Sequence, residues 1–493
     1  MLLTSMKRGV VRRWHQGRIL FSMDAFLEFE RELARKKQAK KPLEAPKTFR
    51  LEPPIKPKDD ECCNSNCPNC ILLVYQQQLM EYEDSLRWKS RELTKLTPEP
   101  VDISLTFAST SKALNEEKII SKNPLRTECL SVESNQELGT SSVHHIEVHL
   151  PQGYATGDNL VVHMFNDNQL IERCAKRLDV DLNTVLKIDK SSNVPELYID
   201  HWITIETLLK WAFDLTSTLR PRLLRILASY ATDLTEQQNI LTLARNWSQD
   251  GDGLNIVDIL ETYPSITLPF TNFLAIAPLL PARQYSIASS SDCLNDTKKA
   301  ALAVSTRARG RCAMYLAQES HRIYGYTTPS HFSTKLPLDS TPKVFIGAGT
   351  GIAPFRAFIS TLSCQKKAVP KVALFQGCRS CESEWLYKEF FQNAFEISTQ
   401  KNVLEHWFPA FSRDPNEPKK YVQDALLEQY ALIGDYIVKE AGTVFICGSI
   451  PMGRNVKEAL VKCIAKSQQW SHEDAKEYIT RMQNEQRLIS EVW

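Results

Sequence analysis

The chain has 493 residues, enough for two to four domains at roughly 100–200 residues each. Hydrophobic residues make up 43% and charged residues 24%, as in an ordinary globular protein with more than one core. A net charge of only +2 excludes a strong field for nucleic acid or an acidic partner. No apolar run reaches the roughly 20 residues of a bilayer span. The best stretch, Leu268 to Leu280, is short and interrupted by Pro269 and Pro278. The 13 cysteines are an odd number spread along a long chain. That argues against a small disulfide scaffold and for a reducing compartment, with some thiols free to serve as metal ligands or redox groups.

Residues 1–50 form a basic region, read as targeting or disordered. Lys7, Arg8, Arg12, Arg13 and Arg18 precede the first acid, Asp24. Such a start has the composition of a mitochondrial transit peptide. A basic tail or the start of a surface helix has the same composition, and a cytoplasmic location is the alternative. Residues 24–41 read as a charged helix. A proline-rich stretch from Pro42 to Pro57 reads as extended. Within 51–98 a cysteine cluster, Cys62, Cys63, Cys67 and Cys70, precedes a predicted helix from Ile71 to Leu96. Residues 99–143 are polar and aperiodic, and read as a linker.

At His144 the pattern changes. Ile146 to Leu150 alternates like a strand, residues 159–166 form a second, and 168–178 read as a helix. Between about 201 and 265 the apolar residues recur at helical spacing (Leu208, Leu209, Ala212; Leu223, Leu224, Leu227; Ile240, Leu241). Strands are expected again after Ile266. From 339 to 493 short apolar strands, Val344-Phe345-Ile346, Val372 to Phe375 and Val444 to Cys447, alternate with helices. That is the pattern of a doubly wound parallel sheet.

Four strings carry chemistry. Gly347-Ala348-Gly349-Thr350-Gly351-Ile352-Ala353-Pro354-Phe355-Arg356 follows a strand and opens a helix. Its glycines let the backbone approach a diphosphate, and the helix start offers free N–H groups. The spacing is not the Rossmann one, so another nucleotide-binding family is implied. Arg283-Gln284-Tyr285-Ser286 sets a fixed cation, an aromatic ring and a hydroxyl on an extended segment. Read alone, it equally describes a strand with a surface arginine. Ser412-Arg413, with Lys419, Tyr421 and Gln423, can clamp a phosphate monoester; a solvated charged loop has the same composition. Cys447, on an apolar strand, and the final Trp493 complete the set. A lone strand cysteine is more often core than catalyst.

Together and in this order, the strings resemble the FAD/NADPH module of the diflavin reductases. The resemblance implies an α/β plus β-barrel fold: an antiparallel FAD-binding barrel at 144–338, a helical connecting domain inserted at about 201–265, and a doubly wound NADPH-binding domain at 339–493. By resemblance, Arg283 contacts the FAD diphosphate, Tyr285 stacks on the flavin and Ser286 sits near its N5. Gly310-Arg311-Cys312-Ala313 corresponds to the second diphosphate loop, and Tyr154, Gly157 and Asp158 to a barrel hairpin. Gly349, Thr350, Gly351 and Arg356, with Gly377, Cys378 and Arg379, correspond to the NADPH turns. Ser412, Arg413, Lys419, Tyr421 and Gln423 match the 2′-phosphate and ribose contacts. Cys447 and Glu491 flank the nicotinamide, and Trp493 covers the flavin. Ala313 stands where the family usually has Ser or Thr, and Glu491 where it has Asp.

No glycine-bearing phosphate loop precedes the barrel, so no FMN is expected. The cysteine cluster instead resembles an oxidoreductase-like N-terminal segment that could hold Zn or an iron–sulfur cluster, although the usual pair of C-x-x-C motifs separated by a long spacer is missing. The expected activity is transfer of hydride from NADPH to FAD, then of single electrons to a separate flavodoxin-like, iron–sulfur or haem protein. The alternative is a non-catalytic metal-binding or assembly factor with a vestigial flavin module.

Overall fold

The computed structural model describes residues 53–57, 71–89, 98, 101, 103–108, 128–139, 141–191, 194, 198–247, 253–293, 298–318, 322–335, 340–364, 369–396 and 403–493. The chain divides into two compact units, Met1–Arg50 and Leu51–Trp493, and every described residue belongs to the second. The basic N-terminal region and Cys62, Cys63, Cys67 and Cys70 lie outside the described residues.

Helix α1 (Ile71–Lys89) is followed by β1 (Ile103–Phe107), β2 (Glu128–Glu137), β3 (Val143–His149), β4 (Asn159–His163) and α2 (Asn168–Leu178). The segment read as a linker at 99–143 therefore holds two strands. β2 pairs with β3 on one side and, later, with the strand at Arg322–Thr328 on the other, so it is a central barrel strand. It escapes a pattern search because Leu130 alone on it is buried, while Ser, Glu, Asn and Gln fill most of its remaining positions.

Then come β5 (Val185–Ser191), β6 (Trp202–Thr204), α3 (Ile205–Trp211), α4 (Pro221–Ser229), α5 (Leu234–Arg245), α6 (Ile256–Thr262) and α7 (Phe270–Ile276). These build the connecting domain. Its core joins Leu170 and Cys174 of α2 to Leu208, Leu227, Leu241, Leu260 and Phe273, beside a three-stranded sheet in the order β1-β5-β6. The domain is wider than the expected 201–265, because α2 at one end and α7 at the other share this core. Helix α7 falls where strands were expected. Its run Phe270–Ile276 is short and largely apolar, and periodicity cannot separate such a run from a strand. Side-chain caps start several of these helices: Asp167, Thr204, Asp233 and Asn255 each accept from a backbone N–H three residues on.

The chain re-enters the barrel through β7 (Arg283–Ser286), β8 (Lys299–Ser305), α8 (Arg311–Leu316), β9 (Arg322–Thr328) and α9 (His331–Lys335). The six antiparallel strands run β7-β4-β9-β2-β3-β8. Ala288 N–H donates to the Ala301 carbonyl at 2.7 Å, which brings the end of β7 against β8 and closes the ring. β8 shows why its residues are small. Ala300, Leu302 and Val304 fill the barrel, while Ala301 and Ala303 face out onto Phe345, Phe355 and Phe358 of the next domain.

That domain contains β10 (Lys343–Ala348), α10 (Ala353–Cys364), β11 (Val372–Cys378), α11 (Lys388–Glu396), β12 (His406–Phe411), α12 (Val422–Glu428), α13 (Tyr430–Gly434), β13 (Thr443–Gly448), α14 (Ile450–Gln468), α15 (His472–Asn484) and β14 (Leu488–Val492). Its five strands are all parallel, ordered β12-β11-β10-β13-β14. Both faces are covered. Val344, Ile346, Ala373, Phe375 and Val444 meet α12 to α15, whereas Phe345, Leu374 and Phe445 meet α10, α11 and the barrel. The expected barrel, helical insertion and doubly wound sheet are all present.

Candidate active site

On the flavin side, β7 lies antiparallel to β4, with Tyr285 opposite Leu160 and Ser286 opposite Asn159. Arg283 is exposed; Tyr285 and Ser286 are half-buried. Burial pushes the Tyr285 hydroxyl well above the usual phenol range, and its hydrogen bond to the Cys312 thiol adds to this. The bond also fixes the ring. The Asn159 side-chain carbonyl oxygen, beside Ser286, is buried with no protein partner. An orphaned acceptor there costs about 1–3 kcal/mol unless something donates to it. A group carrying N–H or O–H donors, as the FAD ring and ribityl chain do, fits that position.

Gly310 caps α8, and nothing lies within 4 Å of where its Cβ would be, so the backbone there is open to a ligand. Cys312 is buried and Ala313 packs against the barrel core. Arg311 has a different task. Its guanidinium donates to the Phe165 carbonyl, to Asn166 Oδ1 at 3.2 Å and to Thr216 Oγ1 at 3.1 Å, with Asp214 at 3.8 Å. It therefore ties the barrel to the connecting domain. Tyr154 donates to the Lys299 carbonyl at 3.1 Å and shares a 2.6 Å hydrogen bond with Ser289. Asp158 accepts from the Ala155 N–H at 2.9 Å, which shapes the turn around Gly157.

On the nucleotide side, β10 ends in the turn Gly349–Ile352, with Gly349 at φ +57° and exposed. A Cβ on Gly351 would meet the Cys447 carbonyl oxygen at 2.2 Å. Glycine is needed there because two strand ends approach closely. The turn leads into α10, so free N–H groups stand where a diphosphate fits. Arg356, further along α10, donates to the Ala288 carbonyl at 2.8 Å and lies over the rings of Tyr387 and Phe390 at 4.9 and 5.1 Å. It bridges the two domains.

Cys378 is buried, and its carbonyl accepts from the Ser412 N–H at 3.0 Å and hydroxyl at 3.2 Å. Arg413 N–H donates to the Arg379 carbonyl at 2.7 Å. These bonds bring the ends of β11 and β12 together. Arg413, Lys419 and Tyr421 are exposed near them, with the Lys419 ammonium 4.8 Å from the Tyr421 ring; Gln423 is half-buried. Arg379 Nε is 3.5 Å from Glu384, which also pairs with Arg307 of the barrel.

At the carboxyl end, β14 sets Glu491 opposite Cys447 and Val492 opposite Gly448. Cys447 is fully buried, and burial together with the Glu491 charge holds its thiol well above the ordinary range. Glu491 also accepts from the Phe332 N–H of α9 at 3.4 Å, across the domain seam. The Trp493 N–H donates to the Gly448 carbonyl and its carbonyl accepts from Ile450 N–H, both at 3.1 Å. Its backbone is thus held in place, and the residue as a whole is 53% exposed.

Several residues of the two domains had no sequence signal. They are Asn159, the His145–Tyr387 hydrogen bond at 2.9 Å, the Arg307–Glu384 pair, and Asp414, which accepts from the Cys381 N–H at 2.9 Å. Each depends on long-range pairing that no local string encodes. Among the described residues no group of three or more His, Cys, Asp or Glu is placed to hold a metal, and no helix is long and apolar enough to cross a membrane.

Comparison with known proteins agrees with this geometry. An FAD binding domain family matches residues 121–314, an oxidoreductase NAD-binding domain family matches 345–458, and an oxidoreductase-like protein N-terminal family matches 50–91. The chain is 32% identical over 405 residues to the NADPH–cytochrome P450 reductase of Dictyostelium discoideum, covering 76% of this chain and 58% of the relative. It is 30% identical over 393 residues to that of Salmo trutta, covering 76% and 63%. It is 29% identical over 434 residues to the nitric oxide synthase of Anopheles stephensi, covering 80% of this chain and 33% of the relative. The chain thus spans less than two thirds of the length of these relatives. Residues 121–458 carry an FAD/NADPH module of the diflavin reductase family. An oxidoreductase-like segment precedes that module in the chain.

Proposed function

We propose that this chain transfers hydride from NADPH to bound FAD and then passes single electrons to a separate protein acceptor. The observation that carries the reading is the seam at the carboxyl end. Cys447 and Glu491 face each other there, Glu491 reaches the Phe332 amide across the seam, and Trp493 is pinned beside them.

When bound, FAD supplies the chemistry that converts a two-electron donor into one-electron steps. The chain's own groups position and polarise. Arg283 and the open backbone at Gly310 to Ala313 would hold the diphosphate of FAD, and Tyr285 and Ser286 would hold its ring system, the first by its aromatic face and the second by its hydroxyl. Gly349, Thr350 and Gly351 receive the NADPH diphosphate. Ser412, Arg413, Lys419, Tyr421 and Gln423 read its 2′-phosphate and ribose. The raised Cys447 thiol stays protonated and acts as a donor. The Glu491 carboxylate favours positive charge on a nearby nicotinamide. Trp493 would shield bound FAD and govern entry of the nicotinamide. Arg311 and Arg356 act through domain geometry.

The acceptor is a protein bearing FMN, an iron–sulfur cluster or haem, and this chain itself uses no FMN. Cys62, Cys63, Cys67 and Cys70 bind Zn or an iron–sulfur cluster, a claim that metal analysis of the wild-type chain against a four-serine variant tests. Residues 1–50 direct the chain to mitochondria, which a fluorescent fusion of that segment tests. For the activity itself, the FAD-loaded chain should reduce ferricyanide with NADPH and far more slowly with NADH. No NADPH-dependent turnover would refute the assignment.

A further inference from the structure

Among the described residues, one pair of cysteines is bonded: Cys293 to Cys364, 71 residues apart. Seven others, Cys129, Cys174, Cys312, Cys378, Cys381, Cys447 and Cys463, are free. The expected reducing compartment disfavours a lasting disulfide, and the position of the bond is informative. Cys293 belongs to the barrel, seven positions after Ser286 on the segment that carries the candidate flavin contacts. Cys364 ends α10, whose first turn follows the candidate NADPH turn Gly349–Ile352. A single covalent bond thus joins the flavin-side segment to the nucleotide-side helix.

The surroundings form a polar patch across the same seam. Thr361 of α10 shares hydrogen bonds with Ser290 at 2.7 Å and with Thr156 at 3.2 Å, and donates to Asp292 at 3.4 Å. Thr156 also donates to Asp292 at 3.1 Å. Beyond this patch, the apolar core of Phe345, Phe355 and Phe358 against Ala301 and Ala303 docks the domains without the bond. Ser290 and Thr361 are buried while Asp292 and Cys364 are exposed, so the covalent link lies at the outer edge of this patch. Cys364 is exposed and Cys293 half-buried, so a thiolate can reach the sulfur of Cys364.

We propose that Cys293–Cys364 is a reversible thiol–disulfide site that staples the flavin barrel to the nucleotide domain and sets how far they part. In the oxidising direction, the two thiols lose two protons and two electrons to a low-molecular-weight disulfide, which leaves as two thiols. In the reducing direction, one thiolate of a dithiol attacks Cys364 Sγ and the Cys293 thiolate leaves and takes up a proton; the second thiol, losing its proton, then attacks the mixed disulfide, Cys364 leaves and is protonated, and the dithiol ends as a cyclic disulfide. Closed, the staple holds the two cofactor segments together for hydride transfer. Open, it frees the edge for electron delivery to a partner. This role rests on the cofactor assignment above; the existence of the bond does not.

The test uses the full chain loaded with FAD. After purification without reductant, acid-quenched digestion should yield a peptide pair crosslinked through Cys293 and Cys364 that disappears on treatment with dithiothreitol. If both cysteines are alkylated without reductant, the site does not exist. Hydrogen exchange then reads the seam. Dithiothreitol, or Cys293→Ser with Cys364→Ser, should speed exchange in 353–364 at least about tenfold, as expected when a long-loop tether is lost. The serine variant should no longer respond to dithiothreitol. NADPH-driven ferricyanide reduction should shift in the same redox-dependent way in wild type only. A crosslink present with exchange and turnover unchanged would overturn the regulatory role. A crosslink with altered exchange in a chain that has no NADPH activity would overturn the cofactor reading and leave the staple standing.

Discussion

Gly351 lies against the backbone of Cys447: a side chain at the first would strike the carbonyl of the second at 2.2 Å. The candidate dinucleotide turn and the strand that carries Cys447 are therefore fitted to each other, and neither moves alone. Gly351→Ala should cost about 1–3 kcal/mol of stability by overpacking. It should also raise the KM for NADPH while leaving FAD affinity intact. Thermal unfolding with flavin retention, read beside steady-state kinetics, checks both. An unchanged KM would show that the turn tolerates displacement.

Arg311 provides a second test, because the structure gives it work that its motif does not suggest. Its contacts to Phe165, Asn166, Thr216 and Asp214 link barrel to connecting domain. Arg311→Ala should destabilise even the flavin-free chain, by about 2–4 kcal/mol for loss of a half-buried charged donor. Urea unfolding of apo and holo protein distinguishes this from a direct diphosphate contact, which would weaken FAD binding and leave the apo protein unchanged.

Two histidines set an acid limit. His145 and His163 are both pushed down to about 4, His145 by burial and then by the Arg356 charge, His163 by burial. The folded protein keeps them neutral, while the unfolded chain protonates them near their usual 6.5. Stability is therefore full above about pH 6.5 and falls as pH drops toward 4. For these half-buried rings the loss is on the order of 2 kcal/mol for the pair after solvent screening. Melting curves from pH 7 to 4.5 should be flatter for His145→Gln with His163→Gln than for wild type. Parallel curves would remove these residues from the acid response.

Trp493 is fixed by its backbone and exposed as a residue. Trp493→Ala should leave stability within about 0.5 kcal/mol of wild type. It should narrow the preference for NADPH over NADH by about tenfold, or about 1.4 kcal/mol of transition-state discrimination. The ratio of kcat/KM values measures it. An unchanged ratio would remove the ring from nicotinamide entry.

These residues also show how far the sequence could be read. The parallel domain was legible because β10, β11 and β13 are apolar runs followed by turn residues, and both their faces are covered. The strings at Arg283–Ser286 and Gly347–Arg356 could be singled out as candidates because their residue pattern is local. β2 could not, since it is mostly polar and owes its position to β3 and β9. Helix α7 was missed because a short apolar run has no decisive period. Arg311 and Arg356 sit within nucleotide motifs, yet their side chains reach Phe165 and Ala288, contacts set by tertiary folding. The Cys293–Cys364 bond has no spacing signature at all.

The most direct measurement is anaerobic titration of the purified, FAD-loaded chain with NADPH, followed by visible absorption. The proposed activity requires the flavin bands to bleach at one equivalent of NADPH per FAD and to return when a one-electron oxidant is added. A chain that binds no flavin, or whose bound flavin stays oxidised in excess NADPH, would contradict it.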